Sequence, residues 1–442
     1  MKRVLMLGAG RVTGPIVDYL LALPEVSLSI GTLMLDEALA KLADRPRGRA
    51  FELDVQDAGA LKRAVADADL VISFVPWTFH PRVARQALDH GVPMLTASYV
   101  SDELRALEDE AHARGLLILN EMGLDPGLDH LSAMRMIDGM RDAGETLAGF
   151  RSVCGGLPAP EAADPPWKYK FSWSPRGALL AARADARFLR DGHTIEVPGA
   201  ELFRHSERYP IEGMGEFECY PNRDSLKYLP RYGIEHIESM FRGTLRWPGW
   251  AAVMDVLVRL DLLSIEVRTP RPGETRRDLL ASRVPGEGSL DSRLRAFVEF
   301  GDPDDVLERL VAVGLLDDRP LPDTPTAPID VLVECFAASL RYHAGERDMV
   351  VQEHVFDSKD ADGRPRRRIA TLVAYGDPDG DSATARTVSL PAAVAAKHML
   401  EGRYDLTGVR APVHRQIYQP VLEELDALGI HFEEREVPIE TG

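Results

Sequence analysis

From residue 1 to about residue 122, short apolar runs alternate with amphipathic stretches. Residues 4–7 read as a buried strand, and residues 12–23 carry helical spacing that stops at Pro24. The alternation then repeats, with strands predicted at 27–30, 50–53, 70–75, 93–96 and 116–120. Helices are predicted between them at 35–43, 58–66, 80–90 and 102–114. Strands that alternate with helices require a parallel sheet covered on both faces, so this third of the chain reads as an α/β Rossmann domain. After residue 124 the rhythm is lost. Residues 155–175 are dense in Gly, Pro and aromatics, while 250–265, 290–316 and 328–342 have helical patterns. Two Pro- and charge-rich stretches, 270–287 and 317–328, read as connectors. Near the end, 389–400 and 416–428 read as amphipathic helices.

A length of 442 residues is too great for one ordinary core and leads to an expectation of two or three domains. The formal charge of -18 speaks against a nucleic-acid partner, although local arginines can still form a basic pocket for an anionic substrate. Cys154, Cys219 and Cys335 are too few and too far apart for a disulfide framework, and no CxxC spacing points to zinc. A reducing cytoplasm is the expected compartment, and no metal is expected. The apolar N-terminus is broken at Gly8, Gly10 and Arg11, which fits a strand and turn better than a signal peptide. No apolar run reaches about 18 residues, so no membrane span is expected.

Candidate chemistry begins at Gly8-Ala9-Gly10-Arg11-Val12-Thr13-Gly14, placed between the first strand and the first helix. In that context Gly8 permits a tight turn and Gly10 lets a dinucleotide pyrophosphate approach the backbone. The helix N-terminus then offers free N–H groups to the anion. Thr13 replaces the third glycine of the pattern and Gly14 comes one place late, so the helix is expected slightly further from its strand. Arg11 and Val12 complete the cofactor turn. Thr32 at the end of the second strand, Asp54 after the third, Ser73 and Val75 at the fourth and Ser98 at the fifth are further candidate cofactor contacts. Arg45, Arg47 and Arg49 are either solvated loop residues or ligands of a 2′-phosphate.

Ligands of open α/β sheets bind beyond the carboxyl ends of the strands. Tyr99 and Asp125 fall there by topology: Tyr99 can donate a proton or bond an amine, and Asp125 is either a turn residue or a group that binds a substrate ammonium. His130 reads as a structural residue at a helix start, and Cys154 as an ordinary buried thiol. Lys168-Tyr169-Lys170-Phe171-Ser172-Trp173 interleaves cations with aromatics, and Arg223, Arg242 and Arg246 add guanidinium groups. Planar guanidinium groups bind carboxylates through paired hydrogen bonds, so the set suggests a substrate with several carboxylates; surface ion pairing is the bland alternative.

At these residues the chain resembles the saccharopine dehydrogenase family, in particular its glutamate-forming branch. The strings GAGRVTGP from Gly8, SFVPWTFHP from Ser73, TASYVS from Thr96 and NEMGLDPGLDH from Asn120 carry the resemblance. CGGLPAPE from Cys154, KYKFSWSPRG from Lys168, YPNRDS from Tyr220, RGTLRW from Arg242 and ERDMV from Glu346 extend it over nearly the whole chain. The resemblance implies oxidation of saccharopine by NAD(P)+ and water to L-glutamate and 2-aminoadipate 6-semialdehyde, or the reverse, in lysine metabolism. It implies that Ser98, Tyr99, Asp125, Arg223, Thr244, Leu245 and Arg246 contact saccharopine, with Cys154 close to the reacting centre. Tyr99, Asp125 and Cys154 are thereby the candidate catalytic residues. It implies a homodimer and three domains: a Rossmann domain over 1–124, an α+β substrate and dimerisation domain with a helical insertion over 125–388, and a helical C-terminal part over 389–442 that packs back on the Rossmann domain. Fungal NADP-using relatives carry an arginine near the end of strand two. Here Gly31-Thr32-Leu33 stands instead, closer to the animal NAD-using pattern, though without its aspartate; the cofactor expectation is NAD or NADP with a slight lean to NAD. Two other readings compete. A carboxynorspermidine dehydrogenase would need a more acidic pocket than Arg223 and Arg246 provide. A non-catalytic dinucleotide-binding protein would have no need of the Asp125, Arg223 and KYKFSW features.

Overall fold

The computed structural model describes residues 1–438 and divides into two units: Met1–Glu145 with Gly380–Glu434, and Thr146–Asp379 with Arg435–Gly442. Residues 439–442, the end of the expected C-terminal part, lie outside the described residues. Strands β1 (Lys2–Leu7), β2 (Val26–Thr32), β3 (Gly48–Glu52), β4 (Leu70–Ser73), β5 (Met94–Thr96) and β6 (Leu117–Leu119) alternate with helices. A second sheet holds β7 (Thr146–Pro158), β8 (Ala186–Arg190), β9 (His193–Val197), β10 (Glu207–Ile211), β11 (Gly215–Pro221), β12 (Ser239–Arg246), β13 (Asp348–Lys359) and β14 (Pro365–Tyr375). Strand β15 (Gly408–Arg410) belongs to the first sheet and β16 (Glu433–Val437) to the second.

The first sheet runs β15-β6-β5-β4-β1-β2-β3, parallel throughout. The order reverses between β1 and β4, which opens a crevice at the carboxyl ends of those two strands. Strand β1 has neighbours on both sides and is buried on both faces over Val4, Leu5, Met6 and Leu7, which is why it reads as an apolar run rather than an alternation. Leu5 and Leu7 pack with Leu61, Val65, Val83 and Leu88 of helices Ala58–Ala66 and His80–His90. Helix Gly14–Ala22 packs against helix Ala383–Leu400, which buries Ala383, Ala385, Ala392, Ala393, Ala395 and Ala396. Small side chains let two helix backbones approach closely.

The C-terminal segment therefore does return to the Rossmann sheet, and β15 extends it beside β6. The expected boundaries move, however. Residues 125–145 and 380–388 belong to the first unit, because helix Leu128–Asp142 packs against helix Arg415–Ala427 of the same unit. The stretch 102–114 forms two short helices, Asp102–Arg105 and Glu108–Ala113. The predicted 12–23 helix starts only at Gly14, because the preceding residues form the glycine turn.

The second unit follows the order β10-β11-β12-β7-β13-β14-β16, with the β8–β9 hairpin attached through β8 to β12. Helices Trp250–Arg259, Arg276–Ala281, Leu290–Phe297, Pro303–Ala312 and Pro328–Ser339 are inserted between β12 and β13. The expected 290–316 helix is two, interrupted at Gly301 (φ +82°) before Pro303 starts the second. The 270–287 connector contains helix Arg276–Ala281, whose start is fixed by reciprocal Thr275 and Asp278 capping bonds. Among the described residues no helix is long and apolar enough to cross a membrane, and no group of three or more His, Cys, Asp or Glu side chains is disposed to hold a metal ion.

Candidate active site

The glycine turn leaves β1 at the crevice. Gly8 has φ +99°, and a Cβ there would lie 2.8 Å from the Phe74 carbonyl oxygen, so this position admits only glycine. A Cβ on Gly10 would meet nothing within 4 Å, which leaves open space above the turn where a pyrophosphate would need it. Thr13 is fully buried; its N–H and Oγ1 both donate to the Gly10 carbonyl, at 3.2 and 2.9 Å, and lock the turn. At Gly14 a Cβ would lie 2.6 Å from Oδ1 of Asp381, at the start of the returning C-terminal segment, so a larger residue there would displace that side chain. Thr32 is buried, with its Oγ1 accepting from Met34 N–H at 3.0 Å, and Leu33 beside it is 65% exposed. Asp54 closes a turn by accepting from Gln56 N–H at 2.8 Å.

The loop arginines are placed elsewhere. Arg47 donates to the carbonyls of Leu21, Leu23 and Val26, Arg45 pairs with Asp18 at 2.5 Å, and Arg49 bonds Ser29 at 2.8 Å. These partners lie at the amino ends of β2 and β3, since Leu28 pairs with Gly48 and Thr32 with Glu52 in parallel register. A groove of about 610 Å³ at that end, lined by Arg3, Arg47 and Arg49, is at the wrong edge of the sheet for a cofactor on the glycine turn.

At the carboxyl ends of β4 and β5 lies a group that sequence reading missed. The imidazole of His80 is 1% exposed, with Ser73 Oγ 2.9 Å from Nδ1, and with Ser98 Oγ 2.8 Å and Thr96 Oγ1 3.2 Å from Nε2. Burial pushes its pKa down to about 4, so the ring is neutral near pH 7 and hydrogen-bonded on both nitrogens. Both hydroxyls nominated as cofactor contacts, Ser73 and Ser98, are thus held by one ring; only the spacing SFVPWTFH, which puts a histidine one helical turn past strand four, hinted at it.

The next loop is fixed by a second buried pair. Glu121, at φ +61°, accepts from Val100 N–H at 3.0 Å and lies 2.7 Å from His130 Nε2. Glu121 N–H donates to Ser98 O, and Met122 N–H to Thr96 O. These bonds tie the strand-five loop to the strand-six loop, and Tyr99 hydroxyl donates to Asp125 Oδ1 at 3.1 Å. Gly127 sits back to back with Gly123, at φ +149°, where any Cβ would overlap the Gly123 backbone. The NEMGLDPGLDH string is therefore a tight loop that presents Asp125 to Tyr99, with His130 buried in it against Glu121.

In the second unit three of the remaining candidates, Cys154, Thr244 and Arg246, share one face of the sheet. Cys154 pairs with Thr244 on β12 and with Gln352 on β13, and Thr244 pairs with Tyr220 on β11. Facing residues in a ladder project to the same side, so these four form a row, and Arg246 lies one pleat along from Thr244. Leu245 points to the other side, fully buried and paired with Cys219 in the core; only its backbone is near this face. Arg246 is 6% exposed and lies 4.9 Å from the Tyr169 ring and 5.4 Å from the Trp250 ring. One of its nitrogens donates to Leu245 O, its Nε makes no hydrogen bond, and no carboxylate among the described residues pairs with it. Tyr169, Trp167 and Phe171 belong to the core, and Lys170 is committed to Asp164 (2.6 Å) and Glu346 (2.5 Å), so the KYKFSW string is largely architecture. Arg223 is exposed, in a turn with φ +54°; its neighbour Asp224 is engaged by Arg187 at 2.7 Å.

Two family models match this chain: the saccharopine dehydrogenase NADP binding domain over residues 4–119, and the saccharopine dehydrogenase C-terminal domain over residues 123–430. The chain belongs to the saccharopine dehydrogenase family. Among its relatives in that family, a saccharopine dehydrogenase (NADP+, L-glutamate-forming) of Saccharomyces cerevisiae is 38% identical over 99% of both chains. The protein of the same name from Schizosaccharomyces pombe is 36% identical over 98% of this chain and 99% of its own. The mitochondrial alpha-aminoadipic semialdehyde synthase of Bos taurus is 36% identical over 98% of this chain, which spans 47% of that longer protein. A solved structure of the apo saccharopine dehydrogenase (L-Glu forming) from Saccharomyces cerevisiae superposes with a TM-score of 0.89, at 36% identity, over 99% of this chain and 100% of that one.

Proposed function

We propose that this protein is an L-glutamate-forming saccharopine dehydrogenase, an oxidoreductase acting on the CH–NH bond of saccharopine with NAD(P)+. The observation that carries the reading is Arg246: a buried guanidinium with no carboxylate partner among the described residues, set beside Thr244 and Cys154. A buried charge without a partner is costly, and a substrate carboxylate resolves that cost by supplying two parallel hydrogen bonds. The names of the relatives similar over their full length support the same reading.

The residues present fit a dinucleotide, through the Gly8 turn, the open space at Gly10 and the donors of Arg11 and Val12, with Thr32, Asp54, Ser73, Val75 and Ser98 along the strand ends. The nicotinamide nucleotide supplies the hydride acceptor when bound. The chain's own groups do the rest. Asp125, oriented by the Tyr99 hydroxyl, accepts a hydrogen bond from the substrate amine and takes its proton as the C–H bond is oxidised. Arg246 and Arg223 hold carboxylates, and Cys154 lines the face on which Arg246 stands. Neutral His80 keeps Ser98 in place.

The nucleotide is NAD or NADP, with a slight lean to NAD that the NADP of the matching domain model and of the fungal relatives' names does not support. The lean rests on the sequence, which has no Lys or Arg over residues 31–40, and on Arg45, Arg47 and Arg49, which are engaged with Asp18, with backbone carbonyls and with Ser29. The test is one assay of purified protein with saccharopine, run with NAD and NADP in parallel while glutamate is measured. Saccharopine-dependent cofactor reduction with the higher kcat/KM for NAD is expected. Failure with both nucleotides, together with reduction of a polyamine imine, would refute the function; a higher kcat/KM for NADP would refute the cofactor preference alone.

A further inference from the structure

The row that carries Cys154 includes a residue to which no role has been given. Gln352 lies on β13 directly across from Cys154 and is 0% exposed. Neither its amide nitrogen nor its amide oxygen has a hydrogen-bond partner among the described residues. A buried primary amide offers two donors and an acceptor, and leaving such groups unsatisfied is destabilising. Its neighbours on the ladder do not explain it. Strand β13 is paired on both sides, with β7 and β14, so the backbone needs nothing from this side chain. A leucine or methionine would fill the same volume without the cost.

The direction of the side chain follows from the register. Phe150 pairs with Phe356, and their rings stack at 4.6 Å, which shows that facing residues of β7 and β13 meet on one side. Cys154 and Gln352 are four residues from that pair on each strand, hence on the same side. Thr244, the partner of Cys154 on β12, stands on that face, with Arg246 one pleat further. Three other polar atoms near Arg246 lack partners as well: its own Nε, the Tyr169 hydroxyl and the Trp250 indole nitrogen. All three can donate, which suits an anion. Gln352 adds two amide donors and a carbonyl acceptor, which suits a group that carries N–H as well as oxygen.

We propose that Gln352 is a substrate-contacting residue, whose amide bonds the amino-acid portion of saccharopine next to Cys154. The inference rests on the saccharopine dehydrogenase reading above and extends it to a residue outside the set already considered.

The experiment compares the parent protein with Gln352→Met, a volume-conserving change that removes no hydrogen bond made within the protein. The expected result is a KM for saccharopine raised roughly tenfold or more, with cofactor Kd unchanged and Tm equal to or above the parent. In the reverse reaction L-glutamate and the semialdehyde are separate substrates, so the one whose KM rises identifies the end that Gln352 touches. Parent-like kinetics with a raised Tm would overturn the proposal and leave Gln352 a destabilising residue without a ligand. A lowered Tm with both ligands weakened together would also overturn it, since the amide would then be holding the fold. If the parent itself shows no saccharopine turnover, the functional reading fails, an outcome distinct from an active parent with an indifferent variant.

Discussion

At the carboxyl ends of the first sheet, Ser73, His80, Thr96 and Ser98 bond one another, and Glu121 bonds both His130 and the Val100 backbone. In the second unit, Arg246 Nε, the Tyr169 hydroxyl, the Trp250 indole nitrogen and the Gln352 amide have no hydrogen-bond partner among the described residues. Both regions are buried and polar, but the first is bonded within itself apart from Asn120 Oδ1 and Ser132 Oγ, while in the second the unpartnered atoms gather around Arg246 and Gln352. A completed network fixes geometry before a ligand arrives; an incomplete one awaits the ligand's own donors and acceptors. The first region thus reads as a positioning frame for cofactor and Asp125, the second as a recognition surface for substrate.

The largest expected effect is on the frame's one open position. Gly10→Val should abolish measurable cofactor binding, because the side chain fills the space the pyrophosphate needs. The fold should survive, since a Cβ there meets no protein atom within 4 Å. Nucleotide titration by fluorescence, with Tm alongside, checks it; unchanged affinity would mean that the cofactor does not lie on this turn.

Next comes the recognition surface. Arg246→Met should lower kcat/KM for saccharopine by about 2–5 kcal/mol, roughly 30- to 4,000-fold, as expected for truncating one partner of a desolvated charged pair. Its Tm should not fall, because the change removes a buried charge that has no protein counter-ion. A strong fall in Tm with little kinetic change would place Arg246 in the frame instead and erase the contrast.

That contrast was only half legible in the sequence. The Rossmann strands and the glycine turn were readable because β1, β4, β5 and β6 are short apolar runs bounded by turn residues, and Gly8 and Gly10 bracket the turn. The second sheet was not readable. Strand β13 is buried on nearly every residue, so it shows no alternation, and β7 mixes glycine, serine and cysteine among its apolar positions. Without the strands there was no register, and without register nothing distinguishes Arg246, which shares a face with Thr244, from Leu245, which does not. The arginines were recognisable as a class. Which of them lacks an internal carboxylate is a tertiary fact: Lys170 and Arg187 are both neutralised by acids distant in sequence.

The frame makes a pH prediction. Folding depresses the His80 pKa from 6.5 to about 4, so between these values the unfolded chain binds the additional proton. The contribution of His80 is fully present above pH 6.5 and is lost as pH falls towards 4, amounting to about 3 kcal/mol over the window. In His80→Gln, which does not titrate, the dependence of unfolding free energy on pH should be flatter by that amount. Denaturant melts of both proteins from pH 4 to 7 would check it; parallel curves would show that the ring is not buried neutral and that the frame is looser than described.

The smallest effect is expected at Arg223, and it tests the comparison most directly. Arg223 and Arg246 are both candidate carboxylate ligands of the same unit, one exposed and the other 6% exposed. Solvent and salt screen an exposed ion pair, so Arg223→Ala should cost about 1 kcal/mol or less, roughly fivefold in the KM for saccharopine. Asp224 is already engaged by Arg187, so the change should leave that pair and the Tm intact. The dependence on salt separates the two arginines further. The Arg223 contribution should fade as ionic strength rises through the range where the Debye length shrinks below about 8 Å, while that of Arg246 should persist. If Arg223→Ala instead matches Arg246→Met in magnitude and is indifferent to salt, burial is not what selects the carboxylate ligand, and the division into satisfied frame and unsatisfied recognition surface does not describe how this protein holds its substrate.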